Sequence, residues 1–307
     1  MKSFSKAGWN TVGTGFSRVQ TSSASLLRLD LLDHSAVEKA LDNINPHVIV
    51  HCAANRFPDS CTSDPSSAAA LNTEATRQLA KESNQRGIIL IYISTDYVFS
   101  GKRGEAPYKP SDPTNPTNIY GKTKADGEQA VLEETGMIRA GHSNKSLGII
   151  LRVPLLYGHC EENDPSKSAV HALIDTIWKA QSLKEDDPKI KMDNYALRYP
   201  TATEDVGRVC VDIAKLCVKD EDETQNVPRI LHFSSETCYT KYGMIKLFAE
   251  DILGLPIDKI EPWDPTQDEE ASGGSGGTIR PYDSHLDTQV LKDIGISVAT
   301  RDFIGWW

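Results

Sequence analysis

"IILIYISTDYVFSG", residues 88–101, is the stretch whose reading decides the fold. Its first half is an unbroken run of aliphatic and β-branched residues, and its second half turns to hydroxyls, an acid and a glycine. A strand apolar on both faces belongs inside a parallel sheet, because that is where both faces are covered. Its polar end then lies at the carboxyl edge of the sheet, where open α/β sheets bind their ligands. Ser94, Thr95, Asp96 and Tyr97 therefore either cap a turn or face a ligand.

The same alternation continues on both sides. "WNTVGTGF" (9–16), "HVIVHCAA" (47–54), "LGIILRVPLLYG" (147–158) and "RILHFSS" (229–235) read as strands. Between them, 35–44, the long run 65–87 ended by Gly87, 122–134, 167–183 and the turn-plus-helix 198–219 have helical patterns. Apolar strands separated by amphipathic helices define βαβ units, so the expected fold is α/β, a Rossmann-type doubly wound parallel sheet. After Gly158 the pattern loosens into a polar loop (183–189), a helix (240–254), a Gly/Ser-rich stretch flexible by composition (266–278) and a tail (286–307) with two short helical pieces. The expected division is a dinucleotide-binding domain from 1–158 and 199–235, and a smaller substrate-type lobe from 159–198 and 236–307. No internal repeat is present.

Composition narrows the partners. With 33 basic against 43 acidic residues, net charge −10, the chain lacks the basic face that nucleic acid requires. No apolar run approaches the roughly 20 residues needed to span a bilayer, and no signal-peptide core opens the chain. The six cysteines form no CxxC pair and read as the reduced thiols of a cytoplasmic protein. His47 and His51 share a strand face, but no carboxylate or cysteine cluster accompanies them, so no metal site is expected.

"IYGKTK" (119–124) sets Tyr120 and Lys124 four apart on one face of a helix start. An ammonium beside a phenol favours the phenolate, and such a tyrosine serves as acid or base in a carbonyl/alcohol interconversion. Alone, the pair reads better as an exposed helix turn. Thr95, at the carboxyl end of the opening strand, brings a hydroxyl to the same crevice.

"STDYVFSG" (94–101) followed by "NPTNIYGKTKADGE" (115–128) resembles the extended short-chain dehydrogenase/reductases, in the dTDP-4-dehydrorhamnose reductase branch. That resemblance implies a catalytic set of Thr95, Tyr120 and Lys124. "PHVIVHCAANRFPD" (46–59), "LRVPLLYG" (151–158), "RYPTATEDVGRVC" (198–210) and "TKYGM" (240–244) resemble the regulatory beta subunits of methionine adenosyltransferase, a non-catalytic group within that branch. This implies NADP as cofactor and the catalytic subunit of methionine adenosyltransferase as partner. It also implies cofactor contacts at Ser17, Arg18, Asp30, Leu31, Cys52, Arg56, Tyr120, Lys124 and Leu156. Arg18 would pair with the 2′-phosphate and favour NADP over NAD. Read without the resemblance, Arg18 is a surface arginine, Asp30 and Leu31 a strand end, and Leu156 a core leucine. A nucleotide-sugar reductase acting with NADP is the alternative.

One part of the expected fold is missing from the sequence. "VGTGFSR" (12–18) offers GxG but no third glycine and no following helix, so it matches the second strand of the fold. The chain is expected to begin partway along the first helix, at "FSKAGWN" (4–10), without the first strand and the Gly-rich turn that cradles pyrophosphate. That strand would be central. The tail is expected to end on two exposed tryptophans, Trp306 and Trp307, short of the partner-binding extension of the beta subunits.

Overall fold

A computed structural model describes residues 1–16, 19, 25–136, 148–159, 168–218, 227–264, 266 and 278–307. The chain opens with helix α1 (Lys2–Lys6) and strands β1 (Gly13–Gly15) and β2 (Leu26–Arg28). Helix α2 (His34–Ile44) and strand β3 (Val48–His51) follow. Helices α3 (Pro58–Ser63), α4 (Pro65–Ala69) and α5 (Ala75–Arg86) come next, α4 and α5 being joined by a wider π-helical stretch, Ala70–Glu74. Then come β4 (Ile89–Thr95), α6 (Ile119–Glu134), β5 (Gly148–Val153) and β6 (Leu156–Tyr157). The chain continues with α7 (His171–Gln181), β7 (Ile190–Asp193), β8 (Thr201–Ala202), α8 (Thr203–Val218) and β9 (Ile230–His232). It ends with α9 (Lys241–Lys246), β10 (Ile260–Trp263), α10 (Gln289–Asp293) and α11 (Phe303–Trp306).

The central sheet has the order β3-β4-β5-β9, every neighbour parallel, with β4 in the middle as its apolar run requires. Alternate residues of β4 serve two cores. Ile89 and Ile91, with Ile149 and Leu151 of β5, pack on Val206, Val209 and Ile213 of α8. Leu90 and Tyr92, with Ile150, pack on Val37 and Leu41 of α2, Leu79 of α5 and Val131 of α6. A third core joins Leu173 and Ile177 of α7, Met244 and Ile245 of α9, Tyr157 and Phe303.

β1 and β2 form a separate parallel pair, and among the described residues no strand joins it to β3. The consequence shows in burial. β5 is buried along its whole length, whereas Val48, Ile49 and Val50 of the edge strand β3 are only half-buried. Helix α1 lies against α8, and Phe4 and Trp9 pack on the core beneath it.

Several expectations are corrected. The helix expected over 122–134 begins at Ile119, because the Asn118 side chain accepts from Gly121 N (2.9 Å) and caps it there. The expected helix 240–254 is α-helical only over Lys241–Lys246 and widens into a π-helical stretch, Leu247–Leu253. Trp306 and Trp307 are not exposed ends. Their rings pack at 5.3 and 6.5 Å from that of Tyr157, on the third core, where burial of so much aromatic surface outweighs freedom of the tail. Among the described residues no disulfide forms, and no group of three His, Cys, Asp or Glu side chains is placed to hold a metal ion.

Candidate functional site

The parallel strands deliver the site residues to one edge. Asp30 and Leu31 follow β2, Cys52 follows β3, Thr95 ends β4, and Leu156 lies just beyond β5. Thr95 is held by its own turn. Its hydroxyl accepts from Tyr97 N (3.2 Å) and donates to the buried Asp96 carboxylate (3.0 Å), which also receives Ser284 Oγ at 2.7 Å. Thr95 also acts on the Tyr120 phenol, drawing its pKa down against the effect of burial. Tyr97 packs edge-on to Tyr120, ring centres 6.0 Å apart.

Two glycines bring α6 to this edge. A Cβ on Gly121 would lie inside the Tyr97 carbonyl and 3.0 Å from Pro116 Cβ; one on Gly127 would lie 2.7 Å from the Asn72 carbonyl oxygen. Close approach of helix to strand therefore excludes a side chain at both positions. The approach drives Lys124 into the protein, where it is 3% exposed. Its ammonium donates to the Ile93 carbonyl (2.8 Å) and sits 3.9 Å above the Tyr92 ring.

The electrostatics differ from the expectation for a lysine beside a tyrosine. Burial draws Lys124 down to about 7, against the opposing charge of Glu128. Desolvation pushes the Tyr120 phenol above its ordinary range, and the Thr95 hydrogen bond offsets this only in part. The reason is geometric: the ammonium is turned to the Ile93 carbonyl and the Tyr92 ring.

The other expected contacts are more dispersed. Ser17 and Arg18 lie outside the described residues. Asp30 uses its carboxylate to accept from Leu32 N (3.0 Å), and half-buried Leu31 packs on the α2–α5 core. Cys52 is exposed at the strand end, and the Arg56 guanidinium stacks 5.0 Å from the Phe57 ring. Half-buried Leu156 opens β6 opposite Thr201. Buried His51 is bonded within the fold: its Nε2 lies 2.9 Å from Thr76 Oγ1. That hydroxyl already donates to Asn72 O, so the imidazole carries its proton on Nε2.

Sequence reasoning missed two groups of residues. Asn72, fully buried, accepts from Asn55 N (2.7 Å) and donates to Asn55 O and Thr123 Oγ1 (both 3.0 Å), tying the loop after β3 to α6. No spacing rule points to an asparagine inside a helix. Arg198 is also buried; its guanidinium lies 5.7 Å from the Tyr97 ring and donates to Leu197 O and Pro281 O. Its positive charge, with that of Arg280, bears on Lys241, which burial draws down to about 8.

A four-stranded parallel sheet with helices packed on both faces, and hydroxyl, phenol and ammonium at its carboxyl edge, defines an α/β protein of the Rossmann type. The model of the RmlD substrate binding domain family matches residues 1–302. Methionine adenosyltransferase 2 subunit beta of Xenopus tropicalis is 36% identical over 304 residues, covering 99% of this chain and 80% of that protein. The mouse protein of the same name is 36% identical over 299 residues, 97% of this chain and 79% of its own. The dTDP-4-dehydrorhamnose reductase of Streptomyces griseus is 41% identical, but over 130 residues, 42% of this chain and 40% of that protein. Among solved structures, the dTDP-4-dehydrorhamnose reductase of Bacillus anthracis in complex with NADP superposes with a TM-score of 0.70 at 22% identity, covering 91% of this chain and 85% of that one. At that identity the match speaks for the fold. The chain belongs to the RmlD substrate binding domain family and, within it, to the group of methionine adenosyltransferase 2 beta subunits.

Proposed function

We propose that this chain is an NADP-binding regulatory subunit that assembles with the catalytic subunit of methionine adenosyltransferase in the cytoplasm and modulates S-adenosylmethionine synthesis. The observation that carries the reading is the extent of similarity. Sequence likeness to the beta subunits runs over 99% of the chain, sequence likeness to the reductase of Streptomyces griseus over 42%.

For the dinucleotide, the residues present fit in part. Thr95, Tyr120 and Lys124 supply two hydroxyls and an ammonium for the nicotinamide ribose end, and the exposed Cys52 and Ala53 leave the strand-end backbone open to close approach. Arg56 supplies a cation towards the phosphates, and Arg18 one for a 2′-phosphate. A Gly-rich pyrophosphate cradle is not found among the described residues. When bound, the cofactor would supply a hydride donor or acceptor. The division into a dinucleotide domain (1–158, 199–235) and a smaller lobe (159–198, 236–307) belongs to the same reading.

Co-expression with the catalytic subunit, followed by size-exclusion chromatography and synthetase kinetics, tests the assignment. A co-eluting complex with an altered methionine KM or rate is expected; no complex and unaltered kinetics would overturn it. The presence of Thr95, Tyr120 and Lys124 near one sheet edge supports a second reading, an NADP-dependent reductase of a nucleotide-linked 4-dehydro sugar. Steady NADPH oxidation with dTDP-4-dehydrorhamnose, absent in Tyr120→Phe, would establish it.

A further inference from the structure

Beneath the crevice lies a buried polar network that the reading above does not use. Ser94, Arg152 and His232 are register partners across β4, β5 and β9. Glu128 of α6 covers this row. It accepts from Ser94 Oγ and from Arg152 Nε (2.9 Å) on Oε1, and from Arg152 Nη2 (2.7 Å) on Oε2. Arg152 Nη1 donates to His232 Nε2 (3.2 Å), so His232 carries its proton on Nδ1 and donates it to Tyr108 O (3.1 Å). Glu128 and Arg152 are 4% and 2% exposed.

A buried ion pair is a poor device for stability alone, since apolar side chains of similar volume often do as well. The placement of this one points elsewhere. Tyr120, Lys124 and Glu128 stand at i, i+4 and i+8 on one helix face. Lys124 rests on Tyr92 and Ile93, and Glu128 is bonded to Ser94, the next residue of the same strand. The other titratable groups bearing on Lys124 are Cys52 and His51 beyond and on β3, with Tyr92 beneath it. His51 is held neutral by burial. Glu128 is the foremost negative charge on that ammonium.

We propose that Glu128 is a positioning residue, held by Arg152 and Ser94 as a fixed negative charge one helical turn beyond Lys124, which keeps the Lys124 side chain an ammonium on the Ile93 carbonyl at the floor of the crevice. The part of this proposal that concerns cofactor affinity rests on the NADP-binding reading; the part that concerns the charge of Lys124 does not.

The test separates the two. Protein labelled with 13C-lysine is titrated by NMR, the Lys124 signal being identified by its loss in Lys124→Arg. In Glu128→Gln the Lys124 midpoint should fall by about one pH unit or more, the usual effect of removing an adjacent opposite charge. Glu128→Asp should restore part of it. Should Glu128→Gln fail to fold with Arg152 left uncompensated, the double variant Glu128→Gln/Arg152→Met removes both charges and should shift Lys124 in the same direction. NADPH affinity is followed across the same pH range, and its decline with rising pH should move down with the Lys124 midpoint. A folded variant with an unmoved Lys124 midpoint overturns the proposal. A moved midpoint with no NADPH binding by the parent leaves Glu128 in its role and refutes the cofactor reading.

Discussion

Replacing Gly121 by alanine sets two effects of opposite sign against each other. Alanine is favoured over glycine inside a helix by about 1 kcal/mol, so local propensity alone forecasts a more stable protein. The tertiary contact says otherwise. The new methyl group would meet the Tyr97 carbonyl within van der Waals contact and the Pro116 Cβ at 3.0 Å. The first obstacle is backbone, which a rotamer change cannot remove, and overpacking of this kind costs roughly 1–3 kcal/mol. With the helix start forced off the strand end, a net loss of up to about 2 kcal/mol is expected. That corresponds to a fall in melting temperature of up to about 8 °C for a domain of this size. Gly243, near the start of α9, is the control: a Cβ there meets only Thr240 Oγ1, at 3.3 Å. Gly243→Ala should therefore be neutral or stabilising by up to about 1 kcal/mol. Urea midpoints and thermal melts of both variants beside the parent measure the difference. Equal stabilisation by the two substitutions would refute the claim that close approach, not helix propensity, dictates Gly121.

His51 and His232, each held down to about 3 by burial, stay neutral in the fold but protonate near 6.5 when unfolded. The unfolded chain thus binds more protons below pH 6.5, and stability should drop as pH falls from there towards 3. At pH 5 the loss is roughly 2 kcal/mol for each histidine, read as a lower urea midpoint at pH 5 than at pH 7; identical midpoints would contradict it. Asn72→Ala strands the Asn55 amide and carbonyl and should cost about 1–3 kcal/mol. Hydrogen exchange over residues 52–57 should quicken, and unchanged exchange would show that Asn72 does not hold the loop. Phe303→Ala, at a site 3% exposed on the third core, should cost roughly 3–5 kcal/mol. A separate, earlier unfolding step in tryptophan fluorescence is its signature; a single unshifted transition would argue against that core's dependence on α11.

The β4 run, the helix face carrying Tyr120 and Lys124, the left-handed Gly87 that ends α5 and the carboxyl-edge position of Thr95 were all legible in the chain itself. Each depends on periodicity or on a turn residue within a few positions, and local backbone sterics suffice to set them. What required the folded protein was the environment of those groups. Burial, not spacing, draws Lys124 down and pushes the Tyr120 phenol up. Asn72 meets Asn55 across 17 positions and Arg152 meets Glu128 across 24. Such partners come together only when βαβ units stack. A side chain's charge state depends on the solvent removed around it, and that removal is the work of segments distant in sequence.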